Sequence, residues 1–212
     1  MQKATVTVLY ARADSIYHQL NGCDVWTESR NATLWPGGTP VIAHPPCRAW
    51  GRLRKLANPK PHEKALAVIA IDQVRRNGGV LEHPAWSTLW TTIGLPPPVP
   101  SATDLHGGWT LPIDQYWFGH RARKPTWLYI VGVTRSDVPP IPLALGDASH
   151  VIGAQGRRTD GSRLRKGDPR WRPEVTRSER EATPKLLAEW LIELARRTTT
   201  ATATAALRDR QV

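Results

Sequence analysis

Apolar and β-branched residues alternate over Ala4–Tyr10, the side-chain period of a strand. Asp14 to Leu20 predicts a short helix stopped by Asn21-Gly22, and Cys23–Trp26 predicts a second strand. Thr39–Ala43 is a third, short and apolar, ending at His44-Pro45-Pro46. From Glu63 to Arg76 the pattern turns helical: Pro61 precedes it, Leu66, Ile69 and Val74 line one side, and Asn77-Gly78-Gly79 stops it. Gly79–Glu82 predicts a buried strand running into His83-Pro84. Residues 94–112, rich in Pro and Gly, predict a loop, and Thr126–Val131 a further strand. Periodicity lapses from Val133 to Thr176. It returns over Pro184–Arg197, a helix with Thr183 as N-cap and a stripe of Leu187, Trp190, Leu191 and Leu194. The Thr/Ala-rich tail from Thr198 to Val212 predicts disorder.

Strand, helix, strand with glycine-marked joints is the order that builds a parallel sheet. The expected fold class is α/β: a Rossmann-like, mostly parallel sheet flanked by helices. A single catalytic domain is expected over residues 1–197, with 133–180 as a small, basic, loop-rich insertion.

A chain of 212 residues is long enough for one sizeable core. No apolar run reaches the roughly 18 residues that a membrane span needs, and the N-terminus lacks a signal-peptide pattern, so no membrane partner is expected. Cys23 and Cys47 cannot form a disulfide framework, and nothing suggests export, so a reducing cytoplasm is the expected compartment. Lys and Arg outnumber Asp and Glu by 29 to 18, a formal charge of +11 that favours a polyanionic partner. Within residues 157–180, nine Lys/Arg face four Asp/Glu. Ten tryptophans stand beside one phenylalanine. Indole stacks on bases and on Arg but also fills cores, and the core reading is favoured for most of them.

The chemistry concentrates in Ile42–Gly51. A cysteine at the carboxyl end of a short parallel strand sits where open α/β sheets bind ligands. Pro45 and Pro46 stiffen the turn, and Arg48, Arg52, Arg54 and Lys55 follow closely, cations that favour thiolate over thiol. Cys47 is therefore read as a nucleophile rather than as a buried structural thiol. Gly78–Pro84 places Glu82 at the end of the next strand, where burial can hold a carboxyl group protonated so that it donates to a ring nitrogen.

Pro45-Pro46-Cys47 resembles the Pro-Pro-Cys loop of the cytosine carbon-5 DNA methyltransferases, and Leu81-Glu82-His83 resembles their Glu-Asn-Val loop. Tyr116–Gly132 is similar to their segment in which arginines precede a strand ending in Ile-Val-Gly. Ala182–Leu191 is similar to their final motif, a loop opening the closing helix. The resemblance implies covalent one-carbon transfer to carbon 5 of cytosine in DNA. Cys47 would be the nucleophile at carbon 6 and Glu82 the group at nitrogen 3. Pro46, Arg48, His83, Arg121 and Arg123 would contact the substrate. The donor implied is S-adenosylmethionine, held near Tyr10, Asp14 and Glu28. DNA is the implied partner, with no obligate protein partner, and the compact size suits a bacteriophage protein in a bacterial host.

The resemblance breaks at the donor end. Leu9–Ile16 contains no glycine where the family has a glycine-rich loop, Arg48 replaces a Gln, and His83-Pro84 replaces Asn-Val. Two further readings follow: the same cysteine chemistry with 5,10-methylenetetrahydrofolate, leaving a hydroxymethyl group, or a non-catalytic DNA-binding relative. A zinc deaminase acts on the same base but needs a Cys-x-x-Cys pair that Cys47 lacks, and no metal site is expected.

Overall fold

A computed structural model describes residues 4–52, 54–153 and 155–198. The expectation of a disordered tail falls on residues 199–212, outside the described residues. Six strands form one sheet: β1 (Val6–Leu9), β2 (Cys23–Trp26), β3 (Val41–Ala43), β4 (Gly79–Pro84), β5 (Trp109–Asp114) and β6 (Pro125–Val131), in the order β2-β1-β3-β4-β6-β5. The pairs β1–β2, β1–β3 and β3–β4 are parallel. β6 runs antiparallel to both β4 and β5. The helices are α1 (Glu63–Asn77), α2 (Thr88–Ile93), α3 (Arg177–Glu181) and α4 (Lys185–Arg196). The protein is α/β, with a mixed sheet flanked by helices.

Both sheet faces are covered, which is why the strands are nearly continuous apolar runs. Alternate residues point to opposite faces. Val8, Ile42, Val80, Leu128 and Ile130 pack with α4 on one face, while Leu9, Ala43, Leu81, Tyr129 and Val131 pack with α1 and α2 on the other. In α4 the stripe Leu187, Trp190, Leu191 and Leu194 is buried, and the Trp190 indole N–H donates to the Pro140 carbonyl at 3.0 Å. The N-cap is Pro184, in extended conformation and without a side-chain bond, so Thr183 lies one residue outside the position expected for it. In α1 the buried face is Ala67, Ala70, Ile71 and Val74, and Ile69 turns to solvent. Small Ala67 and Ala70 let the helix settle closely on β3 and β4, beside the larger Ile71 and Val74.

Two segments differ from the pattern-based reading. Part of the expected loop at 94–112 opens β5, which pairs only with β6. An edge strand tolerates Pro112, because one side of it needs no backbone donor. Asp14–Leu20 forms only a 3₁₀ turn over Ile16–Gln19. Among the described residues, no helix is long and apolar enough to cross a membrane.

The connection order sets the shape of one sheet edge. After β1 the chain lays β2 on one side and then returns to place β3 on the other. Such a reversal opens a crevice beyond the carboxyl ends of β1 and β3. β4 lies next to β3, so Leu9, Ala43 and the end of β4 all lead into one edge.

Gly79 allows β3 and β4 to pair. It has φ +115°, and a Cβ there would strike the Val41 backbone. Gly38 has φ +102°, but a Cβ added to it would meet only open space. Gly79→Ala is expected to lose about 3 kcal/mol or more and Gly38→Ala roughly 1 kcal/mol, read from urea unfolding midpoints. Equal losses at the two positions would contradict this packing.

Candidate active site

At the end of β3 the His44 N–H still donates to the Leu9 carbonyl at 3.0 Å, and then Pro45 and Pro46 end the ladder, having no N–H to give. Cys47 follows, half-buried. Its carbonyl accepts from the N–H groups of Trp50 and Gly51 at 3.0 and 2.8 Å, closing a tight turn. The Trp50 carbonyl accepts in turn from the Thr88 N–H at 3.0 Å and the Thr88 hydroxyl at 3.1 Å. The cysteine loop is therefore tied to the start of α2, which itself follows β4.

On β4, Glu82 and His83 point to opposite faces, as neighbours on a strand must. His44 Nδ1 lies 3.2 Å from Glu82 Oε2, and its Nε2 lies 3.1 Å from the Tyr17 hydroxyl. The Gln115 side-chain amide donates to Glu82 Oε1 at 2.9 Å and to the Thr126 hydroxyl at 3.1 Å. Burial raises the Glu82 pKa, but the His44 hydrogen bond and the electrostatic attraction of His44, Lys124 and His83 outweigh it, bringing the value down to about 2. Glu82 thus rests as a carboxylate, not as the burial-protonated acid that strand position alone implies. A carboxylate only accepts, so His44 Nδ1 carries the hydrogen between them.

The Cys47 thiol is pushed up, first by burial and then by the Glu82 carboxylate, with Lys124 pulling the other way. Burial pushes Lys124 down, against the attraction of Glu82, Cys47 and Glu181. Lys124 stands directly before β6, its ammonium 3.3 Å from the Ala182 carbonyl. The cation facing the sulfur is thus Lys124 rather than the arginines that follow Cys47 in sequence. The turn after the thiol carries Arg48 away to an ion pair with the buried Glu63 at the start of α1.

The structure brings Cys47, Glu82 and Pro46 to one edge and disperses the other predicted contacts. His83 is fully buried against Trp90, ring centroids 6.2 Å apart, and burial takes its pKa down to about 4. It belongs to the core, so no substrate reaches it. Arg121 is ion-paired with Glu179, and Arg123 with Asp114 at 3.4 Å while its guanidinium lies over the Tyr116 ring. Neither makes a hydrogen bond or ion pair to Cys47 or Glu82 among the described residues. Lys124 and Gln115 are the residues that act on Glu82 instead, Lys124 by its charge and Gln115 by its amide. His44 and Tyr17 are equally absent from the motif-based set; position alone marks them, His44 as the first residue past β3 and Lys124 as the last before β6.

The donor residues fare differently again. Tyr10 takes the left-handed conformation, φ 60°, that a glycine would adopt freely, and its hydroxyl donates to Gln73 at 2.8 Å. Arg12 bridges Asp14 at 2.8 Å and Glu181 at 3.1 Å, crossing the edge beyond β1. Glu28 points outward to Lys60. These side chains and ion pairs, rather than a glycine-rich turn, stand beyond the end of β1. No three His, Cys, Asp or Glu side chains gather as a metal set among the described residues.

No family model, curated protein or solved structure matches this chain. What remains is the site's own chemistry: a thiol on a fixed loop, a carboxylate with donors on both oxygens, and a half-buried cation.

In a Cys23→Ser background, alkylation of Cys47 by iodoacetamide is expected to titrate above the ordinary thiol value of 9.0. Glu82→Gln removes a negative charge and moves the titration to lower pH, whereas Lys124→Met removes a positive one and moves it higher. Rates measured from pH 7 to 11 check the order, and the reverse order would contradict the geometry.

Proposed function

We propose that the protein modifies cytosine at carbon 5 in DNA by one-carbon transfer, the reaction of the methyltransferases it resembles. The observation that supports this most is the placing of Cys47 and Glu82 at adjoining parallel-strand ends, close enough for the carboxylate to shift the thiol. Four parallel strands with helices on both faces support a Rossmann-like reading of the fold, and the charge of +11 supports a DNA substrate.

Carbon 5 of cytosine is too weak a nucleophile to take an alkyl group unaided. In the proposed reaction the Cys47 thiol loses its proton, with Lys124 as counter-ion, and sulfur bonds to carbon 6. The displaced ring electrons settle toward nitrogen 3, which takes the proton that Cys47 gives up, relayed by the Glu82 carboxylate. One proton leaves at sulfur and one arrives at nitrogen 3, so the charge of the site is unchanged. Glu82 grips the new N–H more strongly than it grips the ground-state ring, which is what lowers the barrier. Carbon 5, now enamine-like, takes the one-carbon unit. Loss of its hydrogen then expels the thiol and restores aromaticity.

A second reading rests on the donor end. Tyr10, Arg12 and Asp14 where the family presents glycine favour a donor other than S-adenosylmethionine. A methylene unit from 5,10-methylenetetrahydrofolate, with water, would leave hydroxymethylcytosine. The protein is then a bacteriophage-type DNA-modifying enzyme of the host cytoplasm.

Mass spectrometry of nucleosides from DNA incubated with protein and either donor tests both readings. A methyl or hydroxymethyl gain on deoxycytidine is expected with one donor, absent with Cys47→Ser and slowed about 10²–10⁴-fold with Glu82→Gln. No gain with either donor, on DNA or on dCMP, overturns the reading.

A further inference from the structure

The turn between β4 and α2 presents a tryptophan in an unusual way. Trp86 is 58% exposed, although most of the chain's indoles are buried or half-buried. Its backbone is left-handed, φ 59°, a conformation that sterically penalises a bulky residue and that glycine adopts freely. The turn is closed on both sides. The Ala85 N–H donates to the Pro125 carbonyl at 3.0 Å and the Ser87 N–H to the Pro84 carbonyl at 3.3 Å. The indole is braced from behind by Trp127, ring centroids 6.3 Å apart, and Trp127 by Trp90 at 5.4 Å. An exposed apolar side chain is ordinary by itself. One held out to solvent by strained backbone and an aromatic buttress is a rigid, preformed flat surface.

Its neighbours indicate what lies on that surface. Trp86 adjoins Ser87 and Thr88, whose groups bind the Trp50 carbonyl in the turn that begins at Cys47. The same loop carries Arg52, Arg54 and Lys55, all exposed. A flat indole on a turn that is tied to a loop of exposed cations is complementary to a strand of nucleic acid, with bases to stack and phosphates to neutralise.

We propose that Trp86 is the stacking platform for a base of the DNA strand whose cytosine enters the Cys47 edge. The proposal deepens the DNA-modification reading and rests on it for the identity of the strand. Stacking on Trp86 would offset part of the unstacking that removing a cytosine from a helix requires. Arg52, Arg54 and Lys55 would hold the adjoining phosphates.

The test is fluorescence anisotropy of a fluorescein-labelled, cytosine-containing single-stranded oligodeoxynucleotide with wild type, Trp86→Gly, Trp86→Phe and the double variant Arg52→Ala/Arg54→Ala. Glycine suits the left-handed turn, so Trp86→Gly keeps the fold, which circular dichroism verifies. Trp86→Gly is expected to weaken binding about five- to hundredfold with the salt dependence unchanged, and Trp86→Phe to retain most of the affinity. The arginine variant is expected to flatten the salt dependence. Wild-type affinity in Trp86→Gly, or no binding by wild type, overturns the platform. The two claims separate. If no donor modifies DNA yet Trp86→Gly weakens binding, the chemistry falls and the platform stands. If nucleosides are modified but binding ignores Trp86, the platform falls and the chemistry stands.

Discussion

The carboxylate of Glu82 sits almost out of water, and the architecture of the sheet edge is what makes that tolerable. Taking a carboxylate into a protein interior costs several kcal/mol, repaid only where hydrogen bonds and opposite charge meet it with good geometry. Three separate parts of the chain meet this one: His44 from the end of β3, Gln115 from the turn after β5, and Lys124 from the start of β6. Each arrives by sheet pairing. His44 follows Ala43, the partner of Leu81, and β6 pairs antiparallel with β4 so that Leu128 faces Glu82 and Thr126 faces Pro84. A slip of one residue in either pairing would turn these side chains to the wrong face and leave the charge unmet.

The same constraint sets the chemistry. A negative carboxylate next to a half-buried thiol works against the thiolate, so Cys47 rests protonated. The half-buried Lys124 pulls the thiol the other way. The site is thus poised between an acid, a base and a sulfur whose protonation states depend on one another, the arrangement from which perturbed groups at functional sites are drawn. Around it the molecule is asymmetric: the edge beyond β1 is spanned by the Arg12 bridge to Glu181, while the edge beyond β4 opens to Trp86 and the basic loop.

Much of this is legible along the chain itself. Parallel strands buried on both faces announce themselves as apolar runs, and Pro-Pro-Cys after such a run marks a fixed loop at a ligand-binding edge. The stripe of α4 is visible because a surface helix must alternate. Pairwise geometry is the part that periodicity does not carry. β5 escapes notice because Pro112 argues against a strand unless the strand is known to lie at an edge. Hydrophobicity alone assigns Ile69 to the core, whereas the face that α1 turns to the sheet is Ala67, Ala70, Ile71 and Val74. The strand pattern locates Glu82, but its ionisation depends on His44, Gln115 and Lys124, distant in sequence, so burial alone points to the wrong resting charge. Local charge likewise points to Arg48 as the partner of Cys47, when the turn after the thiol sends Arg48 to Glu63 instead.

The central claim is that the Cys47 sulfur adds to carbon 6 of cytosine while Glu82 holds nitrogen 3. Such an adduct makes carbon 5 basic whether or not a carbon donor is present, so its hydrogen should exchange with solvent. Release of tritium from DNA labelled at cytosine carbon 5, in a mixture of protein and DNA alone, measures that addition directly. Release by the wild type that disappears in Cys47→Ser is the predicted result. No release from bound DNA, or release undiminished in Cys47→Ser, would contradict the account.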